Sequence, residues 1–268
     1  MIKISVLVLS CSHQDYSAFK AAQVKSWVND FSAAGISVYF VEGVLKDSCK
    51  PQFTRIPPYA IDGNLISVEC DDTLNDSFRK TLAGMDFLFN SNNCDVVLRT
   101  NLSSFLDISN FLKYMEVHNV NSNTYMGVIG KTTISKEIAY NKQNLLTTKL
   151  LTYIPPLFQT RSEFASGACY FIGSEVFNDI CSSTTFLNLV DDVAISYAGA
   201  SKFLIKTDFP RLWVNSLSRG VDEVALFTFK EKLGFHYRFK SLYRDVDALL
   251  LSSFGDTEFR DFWIEDHA

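Results

Sequence analysis

Five short stretches of the chain carry side chains whose types and spacing could do chemistry. In "NLVDDVAIS" two adjacent acids, Asp191 and Asp192, open an apolar run. A carboxylate at a helix start is held ionised, as a general base must be. The same doublet also serves as plain charge placement. In "DVVLRTNLSSFLD", residues 95–107, an apolar run opens into a polar loop with Arg99, Thr100, Asn101 and Ser103. That loop either binds a ligand or simply turns the chain. "DDTLNDSFRKT" begins with Asp71 and Asp72 and reaches Lys80; its acids belong to a ligand pocket or only to a helix start. "FASGACYFIGSEVF" sets Ser166 and Gly167 at a corner before a strand. Small residues there let backbone approach a bulky ligand, or make an ordinary turn. "GFHYRFKSLYR" brings His236, Arg238, Lys240 and Arg244 into a net acidic chain. They form a phosphate-binding cluster or the wet face of a strand, where Arg238 and Lys240 would point the same way.

Such residues need a scaffold, and the hydrophobic pattern predicts one. "IKISVLVLS" reads as a strand covered on both faces and ending at Ser10. The following helix has Val24, Trp27, Val28 and Phe31 at helical spacing, with Gly35 as its stop. "ISVYFVEG" is a second strand, so the opening is a βαβ unit and implies a parallel sheet. Residues 46–66, with Pro51, Pro57, Pro58 and Gly63, read as loop. Segment 71–93 is the clearest helix, with Leu74, Phe78, Leu82, Met85 and Phe89 on one face. "DVVLRT" is a third strand. "DISNFLKYMEVH" is a helix with Ile108, Phe111, Leu112 and Met115 inward, and "YMGVIG" a strand. Residues 131–165 read as irregular. "ACYFIG" is a strand, Ser174 caps a short helix, "LVDDVAISYAGA" is a helix and "KFLIKTDF" a strand. Ligands of parallel α/β sheets sit beyond the carboxyl ends of strands, which is where residues 99–103 fall. No repeat, low-complexity tract or linker interrupts the chain, so one domain, 1–268, is expected.

Composition bounds the partners. The 268 residues are 47% apolar and 21% charged, a globular balance large enough for a substantial core. A net charge of −5 without a Lys/Arg block argues against nucleic acid. The six cysteines are scattered with no C-x-x-C pair, which disfavours zinc ribbons and thioredoxin-like sites. No apolar run reaches membrane-spanning length. A soluble, cytoplasmic protein with reduced thiols is the expectation.

Taken in order, these stretches resemble the β-1,3-glycosyltransferase family, the galactosyltransferase, N-acetylglucosaminyltransferase and Fringe group. The family's D-S-Y-x-N-L-x-L-K-T stands here as "DTLNDSFRKT", with Asp72, Lys80 and Thr81 in register. Its V-L-K-T-D-x-D-x-F-V stands as "VLRTNLSSFL", its Ser-Gly corner as "ASGACYF", its E-D-V as "DDV", and its R-x-T-W is echoed in "KSW" at Trp27. The resemblance covers roughly residues 2–205. It implies an α/β domain of GT-A type: a mixed, mostly parallel central sheet flanked by helices, with a Rossmann-like nucleotide-sugar half, 1–110, and an acceptor half, 111–268. The implied activity is inverting transfer of a hexosyl or pentosyl unit from a nucleotide sugar to a hydroxyl of a glycan or glycoconjugate. Asp192 maps to the catalytic base. Ser10, Asp72, Lys80, Arg99, Thr100, Asn101 and Ser103, with His236, Arg238 and Lys240, fall to the donor. Ser166, Gly167 and Asp191 fall to the acceptor. The family's metal-holding D-x-D is replaced by Asn101-Leu102-Ser103. Asn and Ser offer oxygens but no charge, so Mn²⁺ or Mg²⁺ is expected to bind weakly and no cofactor to be required. Basic side chains at 238–244 would then meet the charge on the leaving diphosphate. His236 could instead stand where GT-A enzymes place a C-terminal metal ligand. The lack of a membrane anchor fits the soluble bacterial or viral type. A catalytically inactive nucleotide- or glycan-binding protein of the same fold is the alternative.

Overall fold

A computed structural model describes residues 2–44, 56–73, 76–133, 161–182, 191–198, 211–215, 223–241 and 243–267. The chain opens with β1 (Ile4–Leu9), buried along its middle. Helix α1 (Gln14–Gln23) runs through a π-helical turn, Val24–Val28, into α2 (Asn29–Ala33). Trp27, Val28 and Phe31 are buried as their spacing predicts, but Val24 is 39% exposed. The wider turn carries one more residue than an α-turn, which rotates Val24 off the inner face. Strand β2 (Ser37–Gly43) pairs parallel with β1.

The stretch expected as loop contains structure. Strands β3 (Tyr59–Asp62) and β4 (Leu65–Val68) pair antiparallel, Asp62 opposite Leu65. Gly63, with φ +57°, is the first of two residues between them, where a tight hairpin turn needs a positive φ. Helix α3 (Ser77–Asp86) continues into a second π-helical turn, Phe87–Ser91. It therefore starts six residues after Asp71, and Asp71 and Asp72 are not its first turn. Phe78, Leu82, Met85 and Phe89 are buried on it as expected, while Leu74 lies outside the described residues.

Strand β5 (Val96–Asn101) is buried along most of its length, Arg99 and Thr100 included. After β6 (Ser104–Leu106) comes α4 (Ile108–Val117), capped by Asp107, whose side chain accepts from Asn110 N at 3.1 Å. Phe111 and Tyr114 face inward on α4, but Leu112 is 43% exposed. It lies about 100° round the helix from Phe111. Strands β7 (Tyr125–Thr133) and β8 (Arg161–Gly173) take both ends of the span expected to be irregular. Then come α5 (Ser174–Ser182), α6 (Asp191–Ala198), β9 (Arg211–Val214), α7 (Glu223–Glu231), β10 (His236–Phe239), α8 (Arg244–Ser253) and α9 (Thr257–His267). "KFLIKTDF" lies outside the described residues.

The α/β class expected from the strand–helix alternation is the one observed. A seven-stranded sheet has the order β3-β4-β2-β1-β5-β8-β7. β4, β2, β1 and β5 run parallel, and β7, antiparallel to β8, shares their direction. A second sheet, β6-β10-β9, pairs β6 antiparallel and β9 parallel to β10. Aromatics fill the core more than they line the site. Trp27, Phe31, Phe111, Tyr114, Phe171 and Phe235 build one apolar layer. Leu82, Met85, Phe177 and Ile195 belong to the layer on the other side. Cys11, Cys70, Cys94, Cys169 and Cys181 are free thiols. Among the described residues no helix is long and apolar enough to cross a membrane.

Candidate functional site

Beyond the carboxyl ends of β1 and β5 lies a cavity of about 640 Å³. Parallel strands end there together, so the residues that follow them converge. Gln23, buried at the end of α1, ties down the loop after β5. Its Nε2 lies 2.9, 2.8 and 2.9 Å from the carbonyls of Asn101, Leu102 and Ser104. Trp27 Nε1 adds a bond to the Ser104 carbonyl at 3.1 Å. The residue singled out in "KSW" thus holds the loop that carries Asn101 and Ser103.

Ser10, Asp72, Lys80, Arg99, Asn101, Ser103, Ser166, Gly167, Asp191, Asp192, Arg238 and Lys240 all line the cavity. Thr100 and His236 do not. Thr100 is fully buried and donates to the Ala168 carbonyl at 3.2 Å. His236 is fully buried, with Nε2 3.0 Å from Ser104 Oγ. Burial, then the nearby Arg211 and Arg238, hold its pKa well below the ordinary value, so the ring is neutral. Arg244 lines the cavity too, and Arg211 stands behind the lining, its Nη1 donating to Ser166 Oγ at 3.2 Å. Arg244 was visible in the basic run. Arg211 was missed, although "RLWV" alternates a cation and an aromatic with two aliphatics.

Several charges serve the frame. Asp72 accepts from Lys80 Nζ at 2.7 Å, Gly43 N at 3.0 Å, Ser12 Oγ at 2.9 Å and Ser12 N. Burial opposes its charge, but those donors carry its pKa below the usual carboxylate range. Asp72 is therefore a clamp between two strand ends, which explains an acid five residues ahead of a helix. Deeper, Arg99 Nη2 meets Asp191 Oδ2 at 2.6 Å, and the guanidinium stands 5.6 Å from the Tyr170 ring centre. Asp191 Oδ2 also accepts from Thr81 Oγ1 at 3.2 Å and Tyr170 OH at 3.4 Å. Burial would strip the charge from Arg99, but Asp191 holds its pKa above the ordinary value. Arg99 Nε and Nη1 are buried without a hydrogen-bond partner.

Asp192, the next residue, is placed for a different task. Its Oδ2 accepts from Gly167 N at 2.7 Å, and its Oδ1 from Val193 N at 2.9 Å. Burial and the neighbouring Asp191 push its pKa up to about 6. Ser166 and Gly167 are not a corner before a strand but a bulge within β8. Gly127 pairs with Tyr170 and Ile129 with Ala165, so two steps on β7 face five on β8. The extra residues swing toward α6. A Cβ on Gly167 would meet Asp192 Oδ2 at 3.0 Å, so any larger residue there would push the carboxylate back by a few tenths of an ångström.

The basic run is not a wet strand face. Arg238 is mostly buried, and its Nη1 donates to both Asn101 Oδ1 and Ser103 Oγ. Burial first, then Arg244, Arg211 and Arg99, pull its pKa down to about 9. The cations crowd one another around a cavity that offers them few acids. Lys240 Nζ lies 5.7 Å from the ring centre of Trp213, and Arg244 Nη1 reaches Asp247 Oδ2 only at 3.5 Å. Such an arrangement is stabilised by an anion.

No protein-family model matches the chain, and no curated protein matches it. Among solved structures it is similar to a glycosyltransferase involved in the glycosylation of the major capsid of PBCV-1, at 8% identity over 93% of this chain and 98% of that one, with a TM-score of 0.47. It is also similar to the galactosyltransferase LgtC in complex with donor and acceptor sugar analogs, at 10% identity over 96% and 99%, TM-score 0.46. A third is the bifunctional glycosyltransferase WbbM, at 8% identity over 98% and 51%, TM-score 0.45. At identities of 8–10% these likenesses say nothing of chemistry, which has to be argued from the cavity.

Proposed function

We propose that the chain is an inverting glycosyltransferase of GT-A type that needs no metal ion. It moves a sugar from a nucleotide-sugar donor to a hydroxyl of a glycan or glycoconjugate. The observation that carries this reading is Arg238. Its guanidinium sits on Asn101 and Ser103, the two positions where the resembling family carries metal-binding carboxylates. Those oxygens are neutral and already accept from a fixed cation, so a divalent ion meets no countercharge there and a positive charge that repels it. Among the described residues no group of three His, Cys, Asp or Glu side chains suits a metal either. A fixed arginine offers a diphosphate the positive charge directly.

The step then runs as follows. The donor diphosphate lies against Arg238 and Lys240, with Arg244 beyond. The acceptor hydroxyl gives its proton to Asp192, whose carboxylate is held in aim by Gly167 N. The acceptor oxygen attacks the anomeric carbon from the face opposite the diphosphate. The sugar–phosphate bond breaks with its electron pair going to the diphosphate.

The test is a panel of nucleotide sugars assayed for transfer and hydrolysis, with and without EDTA. Turnover of one donor that survives EDTA is the expected result. Arg238→Met should weaken donor use by roughly 10- to 150-fold, the scale of a charge-assisted contact to phosphate. Strict Mn²⁺ dependence would sink the metal-free reading. Nucleotide binding without turnover of any donor would leave a binding protein.

A further inference from the structure

A second cavity, of about 430 Å³, opens on the other face of the β6-β10-β9 sheet. Strand β10 divides the two. Arg238 lines the transfer cavity, and Tyr237, its neighbour in the strand, lines this one. The start of α4, with α7 and α9, closes the sides. The volume lies within the range of about 300–1,000 Å³ that small-molecule sites occupy, yet the transfer step leaves it unused.

The floor of this cavity is fixed. Arg260 Nη2 meets Asp107 Oδ2 at 3.0 Å, and its Nη1 donates to the Phe254 carbonyl at 3.1 Å. The Tyr237 ring packs on Phe229 and Phe254, with centres 4.9 and 5.6 Å away. Only 4% of the residue is exposed. Its hydroxyl nevertheless opens into the cavity and bonds nothing among the described residues. A phenol so deeply placed ordinarily finds a partner, so the vacant hydroxyl points to a ligand that supplies one. Burial, then the nearby Asp107, raise its pKa, so it stays protonated and can both donate and accept. At the exposed rim Lys230 stands with Asp261 and Glu265. Acids and bases are mixed there, so neither an anion nor a cation meets a surface of one sign. Groups that donate and accept at once suit all of these side chains, and hydroxyls are such groups. Leu226, Phe229 and Ile264 add an apolar strip for the C–H face of a ring.

We propose that this cavity is a second saccharide site, in which one sugar hydroxyl pairs with the Tyr237 hydroxyl and others meet Lys230, Asp261 and Glu265 at the rim. The choice of a sugar rests on the proposed transfer reaction, whose acceptor and product are glycans. A glycan held behind the sheet raises the local concentration of its own free ends at Asp192.

The test is an amide NMR titration of the full chain with four methyl pyranosides: the β-D-glucoside, β-D-galactoside, α-D-mannoside and β-D-N-acetylglucosaminide. Inorganic phosphate and ethylammonium are titrated as controls. At least one glycoside should saturably shift the amides of Asn110, Phe229, Tyr237 and Arg260. Tyr237→Phe keeps the ring packing and removes only the hydroxyl. It should bind that glycoside roughly 2- to 12-fold more weakly, with no fall in Tm. Unchanged affinity in Tyr237→Phe would overturn the proposal. So would a fall in its Tm, which would give the hydroxyl to the fold. Shifts of those amides by phosphate or ethylammonium and by no glycoside would overturn it too, as would no shift at all. Glycoside shifts confined to Gly167 and Trp213 would overturn the second site and leave the transferase reading standing. That reading is judged separately, by adding uridine, cytidine and guanosine diphosphates and following Arg238 and Lys240. If none binds, the transferase reading falls, while the glycoside shifts and Tyr237→Phe still decide the second site.

Discussion

Asp192→Asn should lower turnover by roughly 10²–10⁴-fold, the usual scale for a positioned base, and should make the protein more stable at neutral pH. The two effects share one cause. Asn keeps an acceptor oxygen for Gly167 N, gives up the bond from Val193 N, and takes no proton. The wild-type carboxyl has a folded pKa of about 6 against an ordinary value of 3.8. A group raised in this way contributes most below its unfolded pKa and loses that contribution as pH climbs through about 6. Above that point the ionised side chain is a liability of at most about 3 kcal/mol, which Asn does not carry. The variant should therefore melt higher than wild type at pH 7–8, with the gap closing toward pH 4. In the wild-type protein kcat/KM should fall on the acid side of about pH 6, because only the ionised form accepts a proton. Transfer near the wild-type rate in the variant would remove Asp192 from the role. Loss of stability at pH 8 would show that the carboxylate holds the fold.

Arg99→Met has the largest expected effect on the fold itself. It leaves the Asp191 carboxylate buried with Thr81 and Tyr170 as hydrogen-bond donors but no countercharge. Breaking one side of a buried pair costs about 3–5 kcal/mol. For a chain of this size that is a fall in Tm of roughly 6–20 °C. The double variant Arg99→Met/Asp191→Leu should recover most of the loss, because an apolar pair of similar volume needs no compensation. A single variant no less stable than the double would mean that Asp191 finds another partner or takes up a proton.

The contrast between these neighbours marks the limit of what the sequence makes legible. "DDV" shows two acids at a helix start, and that is where they are. It does not show that the first is locked to an arginine 92 positions earlier and the second faces the cavity. That division is set by the register of β5 against β8, which no local pattern encodes. The layers and the central strands were legible because buried parallel strands write continuous apolar runs. Val24 and the start of α3 were misread because a π-helical turn and a loop clamped through Asp72 both break the 3.6-residue period. Arg238 was legible as a cation and Arg211 was not singled out. Both acquire their meaning from strands that meet only in the folded chain.

The bulge in β8 makes backbone length, together with the missing side chain at Gly167, a variable that aims Asp192. Substitutions in the bulge change only one of the two. Deleting Ala168 would shorten the excursion yet leave the pairs on either side free to re-form, Gly127 with Tyr170 and Ile129 with Ala165. The ladder and the core behind it would survive, and melting should stay within a few degrees of wild type, a shift of about 1 kcal/mol. Gly167 N would be drawn back from Asp192, and transfer would fall with it. An insertion there would act in the opposite direction on the same atom. Gains and losses of one residue at this point therefore tune activity while leaving the architecture alone.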